Sequence, residues 1–252
     1  MSAENHLFLY TLHLADNALV LGHRNSEWTG HGPILEQDIA ISNIALDLIG
    51  QARNLYQYAA ELKGGGSTED SLAYLRDARA FKNCLLVEQL NGDWGCTIAR
   101  QFFFSTYQYY LYKHLVKSVD TRLAAIAEKS IKEVAYHLRW SSEWIVRLGD
   151  GTAESKTRMQ KAVDLLWPYM GELTTAADYE IALADSGVTV NPDFLKIMFN
   201  EKVNSVLREA TLNIPPDNWM QSGGKQGIHS EQLGYLLAEM QFLQRAYPGA
   251  EW

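Results

Sequence analysis

The chain has few of the residues that break helices and few that cross-link domains. Proline occurs six times in 252 residues. Of these only Pro168 falls inside a long periodic segment, so long helices are permitted; an interior proline removes an N–H and clashes with the preceding turn. The two cysteines, Cys84 and Cys96, form neither a CxxC motif nor a paired framework, which points to two ordinary reduced thiols. No stretch reaches the roughly 18 consecutive apolar residues of a membrane span. The opening Met1-Ser2-Ala3-Glu4-Asn5-His6 has no basic region leading into an apolar run, so no secretory leader is expected and the cytoplasm is the default location. Excess positive charge is lacking too. Twenty-two Lys and Arg against 30 Asp and Glu give a net charge of −8, which argues against nucleic acid as the main partner, since phosphates are met by clustered cations.

What is present is helical periodicity. Ile41, Ala45, Leu48, Ala52, Leu55, Ala59 and Leu62 follow one another at alternating intervals of 4 and 3 residues, the seam of a helix facing another helix. Gly64-Gly65-Gly66 stops that helix. Residues 5–24 carry Leu9, Leu12 and Leu19 on a similar repeat. A third long helix is predicted from Asp93 to Lys117. A fourth runs from Asp120 to Leu148, with Leu123, Ala127, Ser130, Val134, His137, Ser141 and Leu148 on one side. Shorter helices are expected over 153–173, 192–210 and 230–247, the last with Ser230 as N-cap and Glu231 in its first turn. Four long helices imply an all-α, ferritin-like four-helix bundle with additional C-terminal helices. We expect one domain over 1–252, with a core bundle at about 5–150 and outer helices and a long loop over about 151–252. The loop 211–229 is long enough to be functional or mobile.

A bundle of this kind often holds two metal ions, using a Glu from each of two helices and a Glu-x-x-His from each of the others. The spacing matters because i and i+3 share a helix face. None of the seven histidines has Asp or Glu three residues before it, so the motif is absent. Glu133 and His137, four apart, are the near miss: a remnant ligand pair or a hydrogen-bonded polar pair in the space a metal would fill. Glu27 and His31 have the same spacing, but Gly30, Gly32 and Pro33 mark a turn there. No H-E-x-x-H, G-x-S-x-G, Walker loop or G-x-G-x-x-G occurs. Ser222-Gly223-Gly224-Lys225 lacks P-loop spacing; it reads as a solvated turn or as a Lys meeting a phosphate of a large substrate. Asp38 reads as a helix-first-turn carboxylate favoured by the dipole, with pairing to Arg53 or Arg139 as the alternative. The aromatics of 102–112 point in several directions, so that helix must be covered on more than one side, by the chain's own outer helices or by a subunit rich in such contacts.

Several strings carry a resemblance. Leu46-Asp47-Leu48-Ile49-Gly50-Gln51-Ala52-Arg53-Asn54 is one; Ile131-Lys132-Glu133 with Tyr136-His137-Leu138-Arg139 is another. Leu86-Val87-Glu88-Gln89, Ala210-Thr211-Leu212-Asn213 and Gly223-Gly224-Lys225 with His229 extend it over essentially the whole chain. The chain resembles the C subunits of bacterial phenylacetyl-CoA ring epoxidases. The resemblance implies a ferritin-like fold and a multicomponent oxygenase of phenylacetate catabolism that epoxidises the aromatic ring of phenylacetyl-CoA. It implies as partners a homologous di-iron catalytic A subunit, a small B subunit and a reductase, with no cofactor in this chain. In the catalytic relative one helix carries Asp-Glu-x-Gly-His, where this chain has Asp47-Leu48-Ile49-Gly50-Gln51. Its Glu position becomes Leu48 and its His position Gln51; a slip of one residue puts Gly50 there, with the same loss. Another helix carries Glu-x-x-His-His, where this chain has Glu133, Tyr136 and His137, and the ligating position becomes Tyr136. The degenerate positions are therefore Leu48, Gln51, Glu133, Tyr136 and His137. Lys225 is the candidate for contact with the phosphates of coenzyme A.

The leading expectation is a non-catalytic, structural subunit of the epoxidase complex, able to form a homodimer when alone. The alternatives are a free-standing enzyme with a non-standard site around Glu133 and His137, and a helical binding module using the 211–229 loop.

Overall fold

The computed structural model describes residues 3–216 and 219–250, and among these it is all-α, with no strand. The helices are α1 (Ala3–Ser26), α2 (Leu35–Lys63), α3 (Glu69–Tyr74), α4 (Leu85–Glu88), α5 (Trp94–Leu115), α6 (Thr121–Gly149), α7 (Ala153–Thr174), α8 (Asp178–Asp185), α9 (Pro192–Glu209), α10 (Glu231–Met240) and α11 (Phe242–Ala246). No helix among the described residues is long and apolar enough to cross a membrane.

The long helices are delimited by the chemistry expected of their ends. Asp93 accepts from Cys96 N–H at 3.0 Å, Asp120 from Leu123 N–H at 2.8 Å and Thr152 from Ser155 N–H at 3.1 Å, each filling one of the donors a helix start leaves open. Pro192 opens α9 at a position where its missing N–H is not needed. α2 ends where Gly64, Gly65 and Gly66 all take positive φ, a conformation that side chains disfavour.

α1 pairs with α2, α5 pairs with α6, and the two pairs close into a bundle through α2 and α6. Six of the seven seam residues of α2 are buried, and Leu62 is half-buried. α7 and α9 cover the far side of α5. Phe102, Phe103, Phe104 and Tyr107 are all buried; Phe103 meets Trp167 of α7 edge to face at 6.2 Å, whereas Tyr107 turns to α1, its hydroxyl 3.4 Å from His13 Nε2. These four aromatics are therefore covered within the chain, from the outer helices and from the bundle. α1 is enclosed on all sides: residues 10–22 are buried without interruption, which its leucine repeat did not indicate.

Three departures from the predicted elements have local causes. The 230–247 helix divides into α10 and α11 at Gln241, whose buried amide turns inward to donate to the carbonyls of Ala73 at 3.1 Å and Arg76 at 3.0 Å. Ser230 holds the N-cap position of α10, but its hydroxyl caps nothing; its N–H is instead held by Glu88 Oε1 at 2.7 Å. The long loop packs back on the body. Gln221 N–H bonds the carbonyl of Pro168 inside α7 at 2.7 Å, and Gly224 lies so close to the Asn83 carbonyl that a Cβ would collide with it. Residues 217 and 218 of that loop lie outside the described residues.

Candidate functional site

The α2–α6 junction gathers one cluster of polar side chains in the bundle. On α2, Asp47 and Gln51 stand one turn apart, four residues, as do Glu133 and His137 on α6, so each pair projects from one face. The pairs meet. Gln51 Nε2 donates to Glu133 Oε2 at 2.9 Å, and His137 Nε2 lies 3.0 Å from Asp47 Oδ2. α5 adds a third wall: Gln108 Nε2 donates to Gln51 Oε1 at 2.9 Å. Behind them Tyr112 is buried, and burial pushes its hydroxyl up to about 12, against the lowering effect of Gln108.

The donors run in one direction. Gln108 gives to Gln51, which gives to Glu133, so the carboxylate ends a chain of amide N–H groups. His137 is fully buried and gives its Nε2 proton to Asp47, leaving Nδ1 with no partner. Asp47 keeps 34% of its side chain exposed and Glu133 is half-buried, so both carboxylates of the cluster reach toward solvent. Amides cannot titrate, so this arrangement orients its acids and does not shuttle protons between them.

The structure brings Gln51, Glu133 and His137 together. It places Leu48 elsewhere: its side chain is fully buried among apolar neighbours of the α2 seam. Tyr136 faces outward, 36% exposed, with its ring 6.2 Å from His137 and the Arg139 guanidinium 5.8 Å above it. Asp47 and Gln108 belong to the cluster but were not singled out from the sequence. Asp47 could have been found as the residue one turn before Gln51; Gln108 lies among aromatics and gave no signal. Two irons in a carboxylate–histidine site require free lone pairs converging on one space. Here Gln51 directs an N–H at Glu133, Leu48 offers only hydrocarbon, and among the described residues no three His, Cys, Asp or Glu side chains converge as a metal-holding group. The residues present do not fit a di-iron pair.

Lys225 requires correction. It is not a cation on a solvated loop but is buried, 3% exposed, with Nζ donating to Glu180 Oε2 at 2.8 Å and to the Thr175 carbonyl at 2.9 Å. An ammonium so engaged is withheld from an external phosphate. Burial would raise the Glu180 carboxyl, but Lys225 and then His13 hold it below its ordinary value. His13 lies 4.0 Å from Glu180 and is lowered to about 4, chiefly by burial and then by Lys225. Two other expectations are met by local geometry. Asp38 sits half-buried in the first turn of α2 and accepts from Gly32 N–H at 2.9 Å. Glu27 and His31 lie in and beyond the turn after α1, where Glu27 accepts from Arg24 at 2.9 Å and His31 is exposed.

Comparison with known proteins places the chain among relatives. The family model described as phenylacetic acid catabolic protein matches residues 1–252. A curated relative, the C subunit of the 1,2-phenylacetyl-CoA epoxidase of Escherichia coli (strain K12), is 50% identical over 248 residues, covering 98% of this chain and 100% of the relative.

Proposed function

The chain belongs to the phenylacetic acid catabolic protein family, and from that premise we propose that it is a non-catalytic subunit of a phenylacetyl-CoA epoxidase, supporting a homologous subunit that carries the di-iron centre. One observation carries the reading. At the α2–α6 junction, Glu133 is held by the Gln51 amide and the neighbouring Leu48 is hydrocarbon, so the interior is closed by hydrogen bonds where a catalytic relative would need open metal ligands. The chain's part in the reaction is then mechanical. Its bundle presents a rigid surface to the catalytic subunit, and the small subunit and reductase complete the complex.

The test is direct. Iron analysis of the purified chain should find only substoichiometric metal. Co-expression with a homologue carrying two acidic-x-x-His motifs should yield a stable complex in which oxygen-dependent turnover of phenylacetyl-CoA survives Glu133→Gln in this chain. Two irons bound per isolated chain, or product formed by the chain alone, would sink the proposal and favour an activity centred on the half-open Asp47–His137 pair.

A further inference from the structure

Between α7, α9 and the segment that follows α9 lies an open cavity of about 440 Å³, within the size range of ligand pockets. Its floor is apolar and buried, with Trp167 and Met170 from α7 and Phe199 from α9. Met220 closes one side, seated so tightly on Gly171 that a Cβ added there would lie 2.7 Å from its Cγ. The rim is polar. Lys196, Asn200 and Asn204 line it at intervals of four residues, one stripe along α9. None of these three side chains has a hydrogen-bond or ion-pair partner among the described residues. Lys196 is also the one charged residue among the described residues of the lining, although the chain as a whole carries 30 Asp and Glu against 22 Lys and Arg. A solvated surface lysine needs no explanation. A lysine and two free amides in register above an apolar floor, with no acid beside them, describe a ligand.

We propose that this cavity binds the C-terminal end of an extended peptide whose last side chain is apolar. Lys196 meets the terminal carboxylate in a charge-assisted contact. Asn200 and Asn204 each offer an N–H donor and a carbonyl acceptor, the same complement that a peptide unit carries. The spacing agrees. Four residues of helix rise about 6 Å, and two residues of extended chain advance about 6.4–6.8 Å, so the two asparagines meet alternate units along one edge of the ligand. With its carboxylate at Lys196, the peptide runs toward Asn204 and lays its last side chain on Trp167, Met170 and Phe199. A bare anion would use the lysine and leave both amides unmet; an uncharged apolar molecule would leave all three. The inference is independent of the proposed function, because the cavity lies between α7 and α9, apart from the α2–α6 cluster, and asks nothing of a di-iron subunit.

The experiment is isothermal titration calorimetry of the full-length chain with N-acetyl-Ala-Ala-Phe, as the free acid and as the C-terminal amide, up to millimolar peptide. The acid should bind once per chain and the amide about tenfold more weakly. Lys196→Met, at an exposed position, should weaken the acid about tenfold and leave the amide unchanged. Asn200→Leu, also exposed, should weaken both forms. Circular dichroism and the unfolding midpoint should be unchanged in each variant. An acid that does not bind overturns the proposal, as does an amide that binds equally well or an affinity for the acid that survives Lys196→Met. Acetate binding as tightly as the peptide would reduce the cavity to an anion site and overturn it too. Iron content and co-purification, which test the proposed function, are read separately.

Discussion

Replacing Lys225 with Met should destabilise the fold strongly, with a characteristic dependence on pH. In the native chain the Lys225 ammonium and the Glu180 carboxylate are both buried and 2.8 Å apart. Removing one partner strands the other, a loss of about 3–5 kcal/mol for a buried pair. The Thr175 carbonyl also loses its donor. That is a large part of the roughly 5–15 kcal/mol that holds a domain folded. The sign with pH follows from the carboxyl. In the wild type Glu180 is held below its ordinary 4.5, so its contribution is present above that value and lost as pH falls through the lower folded value. Without Lys225, burial prevails and the folded carboxyl rises above 4.5. The variant then takes up a proton on folding as pH falls, so its deficit should shrink between pH 7 and pH 5. His13, 4.0 Å away, acts in the same direction once it can charge. The assay is urea unfolding of wild type, Lys225→Met and Lys225→Met with Glu180→Gln at both pH values. The double variant should recover most of the loss. A deficit under about 1 kcal/mol, the size of an exposed pair, or one that is equal at both pH values, would refute the reasoning.

Other expectations follow from the same interior. His13 is neutral in the fold, lowered from 6.5 to about 4, so the unfolded chain binds its proton first and stability should fall by up to about 3 kcal/mol as pH drops from 7 to 4; His13→Gln should flatten that slope, and an unchanged slope would show the group is not responsible. His229 shifts the other way: burial would lower it, but the Glu88 carboxylate 2.8 Å away raises it above 6.5. Its contribution is therefore full below 6.5 and lost as pH rises through the folded value, so guanidinium unfolding of His229→Gln should lack that alkaline-side loss. Leu48→Ala should cost about 2–5 kcal/mol as a core truncation, measured by thermal unfolding; a cost near zero would mean Leu48 is not packed. Gln51→Ala should cost about 1–3 kcal/mol by leaving Glu133 and Gln108 without their partner, and a neutral result would mean water replaces the amide at no loss.

Periodicity made the long helices legible. The α2 seam needs only its 4–3 spacing to be read, and its end needs only the triple glycine. The short helices α3, α4 and α8 span too few residues to display a period, so no pattern announces them. The site was half legible. Glu133 and His137 share a face by spacing alone, but their partners come from α2 and α5, and no local rule pairs Gln51 with Glu133 across 82 residues. Tyr136 shows how sensitive such reading is. It precedes His137 by one residue, a rotation of about 100° around a helix, which carries its ring from the interior to solvent. Lys225 misled for a different reason. Its neighbours are glycines and polar residues, the composition of a surface turn, and the acid that buries it arrives from α8, 45 residues back.

The buried acids explain why the polar interior divides into two kinds. Asp16 takes the N–H of Lys82 at 2.7 Å, the Tyr56 hydroxyl and the Arg76 guanidinium. Glu88 takes Ser230 N–H, the Asn83 amide and His229. Glu172 takes the N–H groups of Leu85 and Gly223, at 2.7 and 2.8 Å. Each carboxylate thus supplies the acceptor that a buried loop backbone requires, since an unpaired buried N–H is costly. These acids bind the segments before α5 and after α9 to the bundle, and removing any of them frees backbone donors as well as a side-chain partner. The α2–α6 cluster is different. Among the described residues, Gln51, Glu133, Asp47 and His137 bond only one another and Gln108 through their side chains, and no loop depends on them. The two kinds of site should therefore separate in experiment: the loss from Gln51→Ala should stay below that from Lys225→Met, because only the second leaves a buried charge unpaired and unmoors a loop. Equal losses would mean that the α2–α6 cluster also anchors the fold.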